Sequence, residues 1–186
     1  MVAVTAWQML FEYARARDGQ TALIHGAAGN VGAYAVQLAA FAGIRVIATC
    51  AADDVEYVHS LGADRVLDYK AGPFEESVTD VDAVIDTVGG STQQRSLAAL
   101  KRGGILVSSV SPVPQEAQQR FGVKGVFFLV QVTTERLKRL SHLFDQGALK
   151  PNVGTVLPLT EARQAHEMLA GAPHRRGKIV LRVDAN

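Results

Sequence analysis

Cysteine is nearly absent from this sequence, because Cys50 is the single one among 186 residues. One thiol cannot build an internal disulfide framework or a thiolate-rich metal site. A chain with so little cysteine fits a reducing compartment, and we therefore expect a cytoplasmic protein.

An excess of charge of one sign is also lacking. The chain has 19 lysines and arginines against 18 aspartates and glutamates, a formal net charge of +1. This balance gives no large field that would attract a phosphate backbone or an acidic membrane surface. We therefore expect no nucleic-acid partner.

Long hydrophobic runs are missing as well. The nearest candidate, residues 31–44, contains Gln37 and is shorter than the run of about 18 to 20 apolar residues that spans a membrane. The first residues lack the cationic head and apolar run of a signal peptide. We expect neither a signal peptide nor a membrane partner.

Paired metal ligands do not occur in the sequence. The five histidines show no ligand-like spacing; they are His25, His59, His142, His166 and His174. With one thiol, they cannot form a zinc site of the alcohol dehydrogenase kind, so we predict no metal.

Apolar residues, in contrast, are plentiful and regularly placed. They make up 48% of the chain, which is enough for a full core at this length. Helical spacing of Trp7, Leu10, Phe11 and Ala14 predicts a helix over residues 5–15. The predicted strands then cover residues 21–25, 44–49, 65–68, 81–86, 104–108 and 123–132, and the predicted helices cover residues 30–41, 53–61, 91–100 and 133–146.

This alternation predicts an α/β fold, namely a Rossmann-type, doubly wound, six-stranded parallel sheet within residues 1–150. Residues 151–186 differ from it. There a short valine-rich piece precedes a predicted helix at 160–170 and a predicted strand at 178–183. We interpret this segment as a short helix-strand appendage.

The glycine turn after the first strand is the motif that indicates a ligand. Gly26, Gly29 and Gly32 form a G-x-x-G-x-x-G pattern between the first strand and the first helix of the alternation. A side chain at 29 would keep a pyrophosphate from the backbone, and one at 32 would keep the helix from the sheet. The amides of Asn30 and Val31 begin that helix, where an anion is favoured.

Several further motifs carry a family resemblance. They are TAWQ (residues 5–8), HGAAGNVG (25–32), AVQLA (35–39), LGAD (61–64), DY (68–69), DTVGG (86–90), GGILV (103–107) and GKIVL (177–181). In order and spacing, the sequence resembles the medium-chain dehydrogenase/reductase superfamily, in its zinc-free quinone oxidoreductase (zeta-crystallin-like) branch.

The resemblance implies roles for particular residues. It implies that the turn with Asn30 and Val31 holds a pyrophosphate. It implies that Ala51, Asp54 and Tyr69 lie around the adenosine ribose. It places Thr87, Val88 and Gly89 beside the nicotinamide ribose, and Ser109, Val110 and Phe128 near the nicotinamide ring. It implies no catalytic residue that we can name, since no proton donor stands out.

The cofactor implied is NADPH or NADH. Asp53 and Asp54 after the second strand would repel a 2'-phosphate, whereas the strand end itself, Thr49 and Cys50, lacks the acid typical of NADH binding. We predict NADPH ahead of NADH.

The resemblance also implies an N-terminal catalytic domain that this sequence lacks. The appendage would normally pack on that domain through an apolar face with Val153, Val156, Leu157, Leu169 and residues 179–181. We expect either a fragment, inactive by itself, or a chain in which something else covers this face.

The predicted function is therefore zinc-independent, NAD(P)H-dependent reduction of a small quinone, enone or carbonyl compound by hydride transfer, or the cofactor-binding part of such an enzyme. A non-catalytic dinucleotide-binding module stays open as an alternative. A methyltransferase is disfavoured by the glycine spacing. The apolar run at 123–132 is predicted at a sheet edge, which would pair or aggregate if left open. The resemblance implies a homodimer formed by pairing of such edges; the alternative is that the helix at 133–146 covers this edge.

Overall fold

Six parallel strands form the sheet of the first part of the chain. The computed structural model describes residues 1–183 and divides the chain into one unit, Met1–Leu149, and a second that begins at Lys150. The strands of the first unit are β1 (Thr21–His25), β2 (Arg45–Cys50), β3 (Arg65–Asp68), β4 (Val81–Asp86), β5 (Leu100–Ser108) and β6 (Lys124–Phe127). Their order is β3-β2-β1-β4-β5-β6, which confirms the predicted Rossmann-type sheet.

Helices connect these strands. In the first unit they are α1 (Val2–Trp7), α2 (Gly32–Phe41), α3 (Val55–Ser60), α4 (Gly90–Ser96), α5 (Gln115–Phe121) and α6 (Thr134–Asp145). The helix α2 is apolar on almost every face and is buried along most of its length, as an apolar helix without a polar stripe must be. In the described residues, no helix combines the length and hydrophobicity needed to cross a membrane.

The central strands are buried because a parallel sheet has helices on its faces. Every residue of β4 except Asp82 is buried, and so is every residue of β1 except Thr21. Two apolar clusters result. One includes Ile24, Val36 and Ile85, and the other includes Leu23 and Leu106.

The N-terminal helix differs from its prediction. It begins at Val2, and from Gln8 to Tyr13 it continues as a π-helix, with the Ala14 amide bonded to the carbonyl of Met9. Its side chains hold a distant segment, since Gln8 accepts from the amide of Gln131. Arg15 takes a positive φ of 51°, which ends the helix before the predicted residue.

The end of the sheet also differs from its prediction. The strand expected over residues 123–132 ends at Phe127, because Phe128 leaves the ladder and packs its ring on Tyr13, with centroids 4.5 Å apart. A helix not predicted from the sequence, α5, precedes this strand. Leu100, expected in a helix, is the first residue of β5, which a register irregularity makes longer than predicted.

The second unit is a strand-helix-strand element. β7 (Val153–Pro158) pairs in parallel with β8 (Lys178–Arg182), and α7 (Ala162–Leu169) connects them. The appendage was expected to contain one strand, so β7 is a correction. Val153, Val156 and Leu169 of its predicted apolar face are exposed. Residues 184–186 of the predicted segment lie outside the described residues.

We expect Leu106→Ala to lower the free energy of unfolding by about 3 kcal/mol, because Leu106 is fully buried in β5 and its truncation leaves a cavity. Urea denaturation measures the change. The same substitution at Leu129, which is 77% exposed, serves as the control and should change stability by less than about 0.5 kcal/mol. Equal losses in the two variants would contradict the assigned core.

Candidate functional site

A cavity of about 500 Å³ lies at the carboxyl ends of the strands. Each strand from β1 to β5 contributes a lining residue at or just beyond its last position. The cavity is lined by Gly26, Ala28, Gly29, Asn30, Val31, Cys50, Ala51, Asp54, Tyr69, Thr87 and Ser109. The strand order reverses between β1 and β4, and a crevice at such a switch point is where open α/β sheets bind ligands.

The first glycine brings the turn against the neighbouring strand end. Gly26 has a φ of +67°, and a Cβ built on it would lie 2.5 Å from the Thr87 Oγ1 atom. The Thr87 hydroxyl donates to the carbonyl of His25 at 2.7 Å. Since its proton is used there, the Thr87 oxygen can only accept a hydrogen bond from a ligand in the cavity.

The other two glycines differ in what they permit. A Cβ on Gly32 would lie 2.2 Å from the Gly26 carbonyl oxygen, so α2 can begin against the turn only without a side chain there. A Cβ on Gly29 would lie 3.1 Å from the same oxygen, a tight contact that a small shift relieves. Within residues 1–183, the amides of Asn30 and Val31 donate to no protein acceptor, and α2 starts directly after them.

The turn is also fixed from the side of β2. The amide of Ala27 donates to the carbonyl of Thr49 at 3.0 Å, and the amide of Tyr69 donates to the carbonyl of Cys50 at 3.1 Å. Ala51 and Asp54 follow Cys50 and complete this wall. Beside it, the Lys70 ammonium lies 5.7 Å from the centre of the Tyr69 ring.

Polar groups are buried directly beneath the cavity. Asp86, the last residue of β4, is fully buried, and its carboxylate accepts from the amides of Val88 (3.0 Å) and Gly89 (2.8 Å). It also accepts from Gln93 at 3.1 Å and from the Ser108 hydroxyl at 2.9 Å. In the described residues, no buried side-chain nitrogen or oxygen is left without a hydrogen bond.

His25 links three elements in the same layer. Its Nδ1 atom lies 2.9 Å from the Thr49 hydroxyl and its Nε2 atom lies 2.8 Å from that of Ser96. Ser96 donates its own proton to the carbonyl of Thr92, so it accepts from Nε2. Burial lowers the pKa of His25 to about 4, although the nearby Asp86 carboxylate acts in the opposite direction.

The cavity brings together most of the residues predicted for the site. From the predicted set, it is lined by Gly26, Gly29, Asn30, Val31, Ala51, Asp54, Tyr69, Thr87 and Ser109. Gly32 lies behind the turn, Gly89 precedes α4 as its cap, and Val88 and Val110 are exposed beside the cavity.

Phe128 does not line this cavity. The prediction put it near the nicotinamide ring, but its side chain is buried in the core against Tyr13. The sequence analysis also missed the lining residues Ala28 and Cys50. It missed the buried set beneath them, of which Asp86 had one visible signal, an acid at the end of a buried strand.

Metal ligands are not gathered in the part of the chain that the structure describes. Across residues 1–183, no three histidine, cysteine, aspartate or glutamate side chains lie where together they could hold a metal ion. The cysteine lines the cavity at the end of β2 and is buried.

Comparison with known proteins gives a consistent picture. Residues 61–181 match the family model described as zinc-binding dehydrogenase. The chain is 33% identical to the mitochondrial NAD(P)H oxidoreductase RTN4IP1 of Mus musculus over 214 aligned positions, covering 98% of this chain and 54% of that protein. It is 30% identical to the quinone oxidoreductase of Mus musculus, covering 95% of this chain and 59% of that one.

Solved structures agree with these relatives. The quinone oxidoreductase from Coxiella burnetii superimposes with a TM-score of 0.87 at 33% identity, over 99% of this chain and 59% of that chain. The chain therefore spans little more than half the length of the proteins it matches.

We expect the protein to lose stability as the pH falls from 6.5 to 4. In this window an unfolded chain protonates its histidine, whereas the folded chain keeps His25 neutral, so protonation favours unfolding. The shift corresponds to about 3 kcal/mol of unfolding free energy at the lower end of this window. Urea denaturation at several pH values measures it.

A His25→Gln variant provides the comparison, because glutamine retains polar atoms but does not titrate. It should be less stable at neutral pH, and its stability should fall less steeply between pH 6.5 and 4. The same slope in both proteins would contradict the assignment of this pH dependence to His25.

Proposed function

Because the chain belongs to the zinc-binding dehydrogenase family, within the medium-chain dehydrogenase/reductase superfamily, we propose that it binds NADPH or NADH for reduction of a quinone, enone or carbonyl compound. The observation that carries this proposal is the cavity over the glycine turn. Its position at the switch point of the sheet is the position that a dinucleotide needs.

The cavity residues suit the pyrophosphate and the two riboses of a dinucleotide. The turn exposes backbone instead of side chains at Gly26 and Gly29, and the amides of Asn30 and Val31 could donate to an anion at the start of a 10-residue helix. These four residues would hold the pyrophosphate. Tyr69 would contact the adenosine ribose, and Thr87 would accept a hydrogen bond from a hydroxyl of the other ribose.

The bound nicotinamide would supply the hydride, while the protein supplies orientation. At the β4–β5 end of the cavity the chain presents two hydroxyl side chains, Thr87 and Ser109. The titratable lining residues, Cys50, Asp54 and Tyr69, all lie at the β2–β3 end. The absence of a titratable group near the reacting end in the described lining favours the second candidate, a module that binds the dinucleotide without turnover. A quinone turnover assay separates the two.

For the choice of cofactor, we keep NADPH ahead of NADH. Thr49 and Cys50 end β2 where an acid would hold a ribose diol, and Lys70 beside Tyr69 supplies a positive charge nearby. Asp54 in the cavity lining favours NADH, because a carboxylate repels the 2'-phosphate. The ratio of the two dissociation constants decides between them.

We expect Gly29→Asp to abolish dinucleotide binding while the protein stays folded. The new side chain places bulk and negative charge where the pyrophosphate would lie, whereas its Cβ meets one atom at 3.1 Å. Calorimetric titration with NADPH and NADH measures binding, and circular dichroism checks the fold.

Gly72→Asp is the matched control. A Cβ on Gly72 has no neighbour within 4 Å, and Gly72 does not line the cavity. This variant should bind as the wild type does. Unchanged affinity in Gly29→Asp, or equal losses in both variants, would overturn the site assignment.

Cytoplasmic location stays a prediction. We also propose that the chain forms a homodimer through the edge of its sheet. β6 pairs with β5 on one side and ends the sheet on the other, and Phe127 on it is 38% exposed. An edge strand whose outer side has no strand partner favours pairing with a second strand.

We expect sedimentation velocity to show a dimer for the wild type and a monomer for Phe127→Lys at the same concentration, because a lysine at a strand edge blocks pairing. Phe41→Lys, at an exposed residue that ends α2, should stay dimeric. A wild type that sediments as a monomer would contradict the proposed dimer.

A further inference from the structure

Asp86 is the point at which two loops of the cavity meet. These loops follow β4 (residues 87–89) and β5 (residues 109–111), and each places one side chain, Thr87 or Ser109, in the lining. One carboxylate oxygen of Asp86 accepts two amides of the first loop, those of Val88 and Gly89. The first loop is therefore tied directly to this group.

The second loop is tied to Asp86 through its neighbour in the sheet. Ser108 lies opposite Asp86 in the β4–β5 ladder and donates its hydroxyl proton to the other carboxylate oxygen at 2.9 Å. The Ser108 oxygen in turn accepts the amides of Val110 (3.1 Å) and Ser111 (3.2 Å). The backbone carbonyl of Asp86 also accepts the amide of Ser109 at 3.2 Å.

Gln93 completes the arrangement. Its side-chain nitrogen donates to Asp86 and to the carbonyl of Ser111, and so it joins the helix α4 to both loops. Asp86 and Ser108 are fully buried, and therefore water cannot replace a lost bond without entering the core.

We propose that Asp86 is a positioning residue for the nicotinamide half of the dinucleotide. It holds Thr87 and Ser109 at a fixed spacing, because its carboxylate accepts hydrogen bonds from β5, from α4 and from the loop after β4. The adenosine diphosphate half would bind elsewhere, at the turn with Gly29 and at Tyr69. This inference rests on the proposed function, and it adds a residue that controls affinity for one half of the ligand.

An asparagine at this position cannot reproduce the arrangement. The carboxylate of Asp86 faces donors on both oxygens, and asparagine has one accepting oxygen and one donating nitrogen. In either orientation its NH₂ group opposes protein donors, so one of the two loops loses its link to this side chain. The volume of the side chain stays nearly the same.

The experiment titrates wild type, Asp86→Asn and Ser108→Ala with the preferred nicotinamide dinucleotide and, separately, with ADP. ADP probes the adenosine diphosphate half alone. We expect Asp86→Asn to weaken dinucleotide binding about tenfold, equivalent to about one lost charge-assisted hydrogen bond, and to change ADP affinity less than about twofold. Ser108→Ala should show the same selectivity with a smaller loss, because the bonds of Asp86 to Val88 and Gly89 remain.

Asp82→Asn is the matched control. Asp82 lies on the same strand at its opposite end, where its carboxylate accepts the amide of Thr21 at 2.8 Å and pairs with Lys101. The Asp82→Asn variant makes the same chemical change away from the cavity. We expect it to bind both ligands with the affinity of the wild type.

The outcomes are separable. A wild type that binds neither NADPH, NADH nor ADP overturns the proposed function itself. A wild type that binds, with Asp86→Asn either unaffected or equally weakened for both ligands, overturns the positioning role alone. If Asp86→Asn does not fold, Ser108→Ala decides by the same comparison, and equal effects on both ligands count against the proposal.

Discussion

The backbone that leaves β1 passes directly against the Thr87 side chain that follows β4, and the cavity depends on this approach. Gly26 makes it possible on one side, since a Cβ there would overlap the Thr87 hydroxyl. Gly32 makes it possible on the other, since it lets α2 start against the turn. Once the turn is in this place, its free amides, the start of α2 and the ends of β2 and β4 surround one space.

The two ends of this space differ in hydrogen-bonding character. At the turn, the amides of Asn30 and Val31 can donate, and the dipole of α2 adds to their attraction for an anion. At the β4–β5 end the amides of Val88, Gly89, Val110 and Ser111 are already used by Asp86 and Ser108. Thr87 there can only accept. A ligand with an anionic centre and a hydroxyl-bearing end matches this polarity.

Much of the fold could be predicted from the sequence, because the buried strands of a parallel sheet are short apolar runs between segments with helical spacing. The bounds predicted for β1, β3 and β4 match the structure. The polar helix α5 has too few apolar residues to give a period, and the π-helix differs from an α-helix by one residue in the spacing of its hydrogen bonds. Phe128 is predicted in a strand because it lies within a continuous run of apolar residues.

The candidate site could be predicted only where its residues lie close together along the chain. The turn lies in seven consecutive residues, and the spacing of its glycines predicts it. The pairing of Asp86 with Ser108 depends on which strands are neighbours, and no pattern along the chain contains that information. His25 is similar, since its partners Thr49 and Ser96 lie 24 and 71 residues away.

The position of β4 beside β1 has a consequence for the order of events in folding. Thr87 and His25 are 62 residues apart in the chain, and the strands β2 and β3 with their connections lie between them. Contacts of such separation form slowly, because a long loop must close before any bond repays it. A chain emerging from a ribosome would present its glycine turn early, but it would acquire the opposite wall of the cavity only after β4 and β5 had been synthesised.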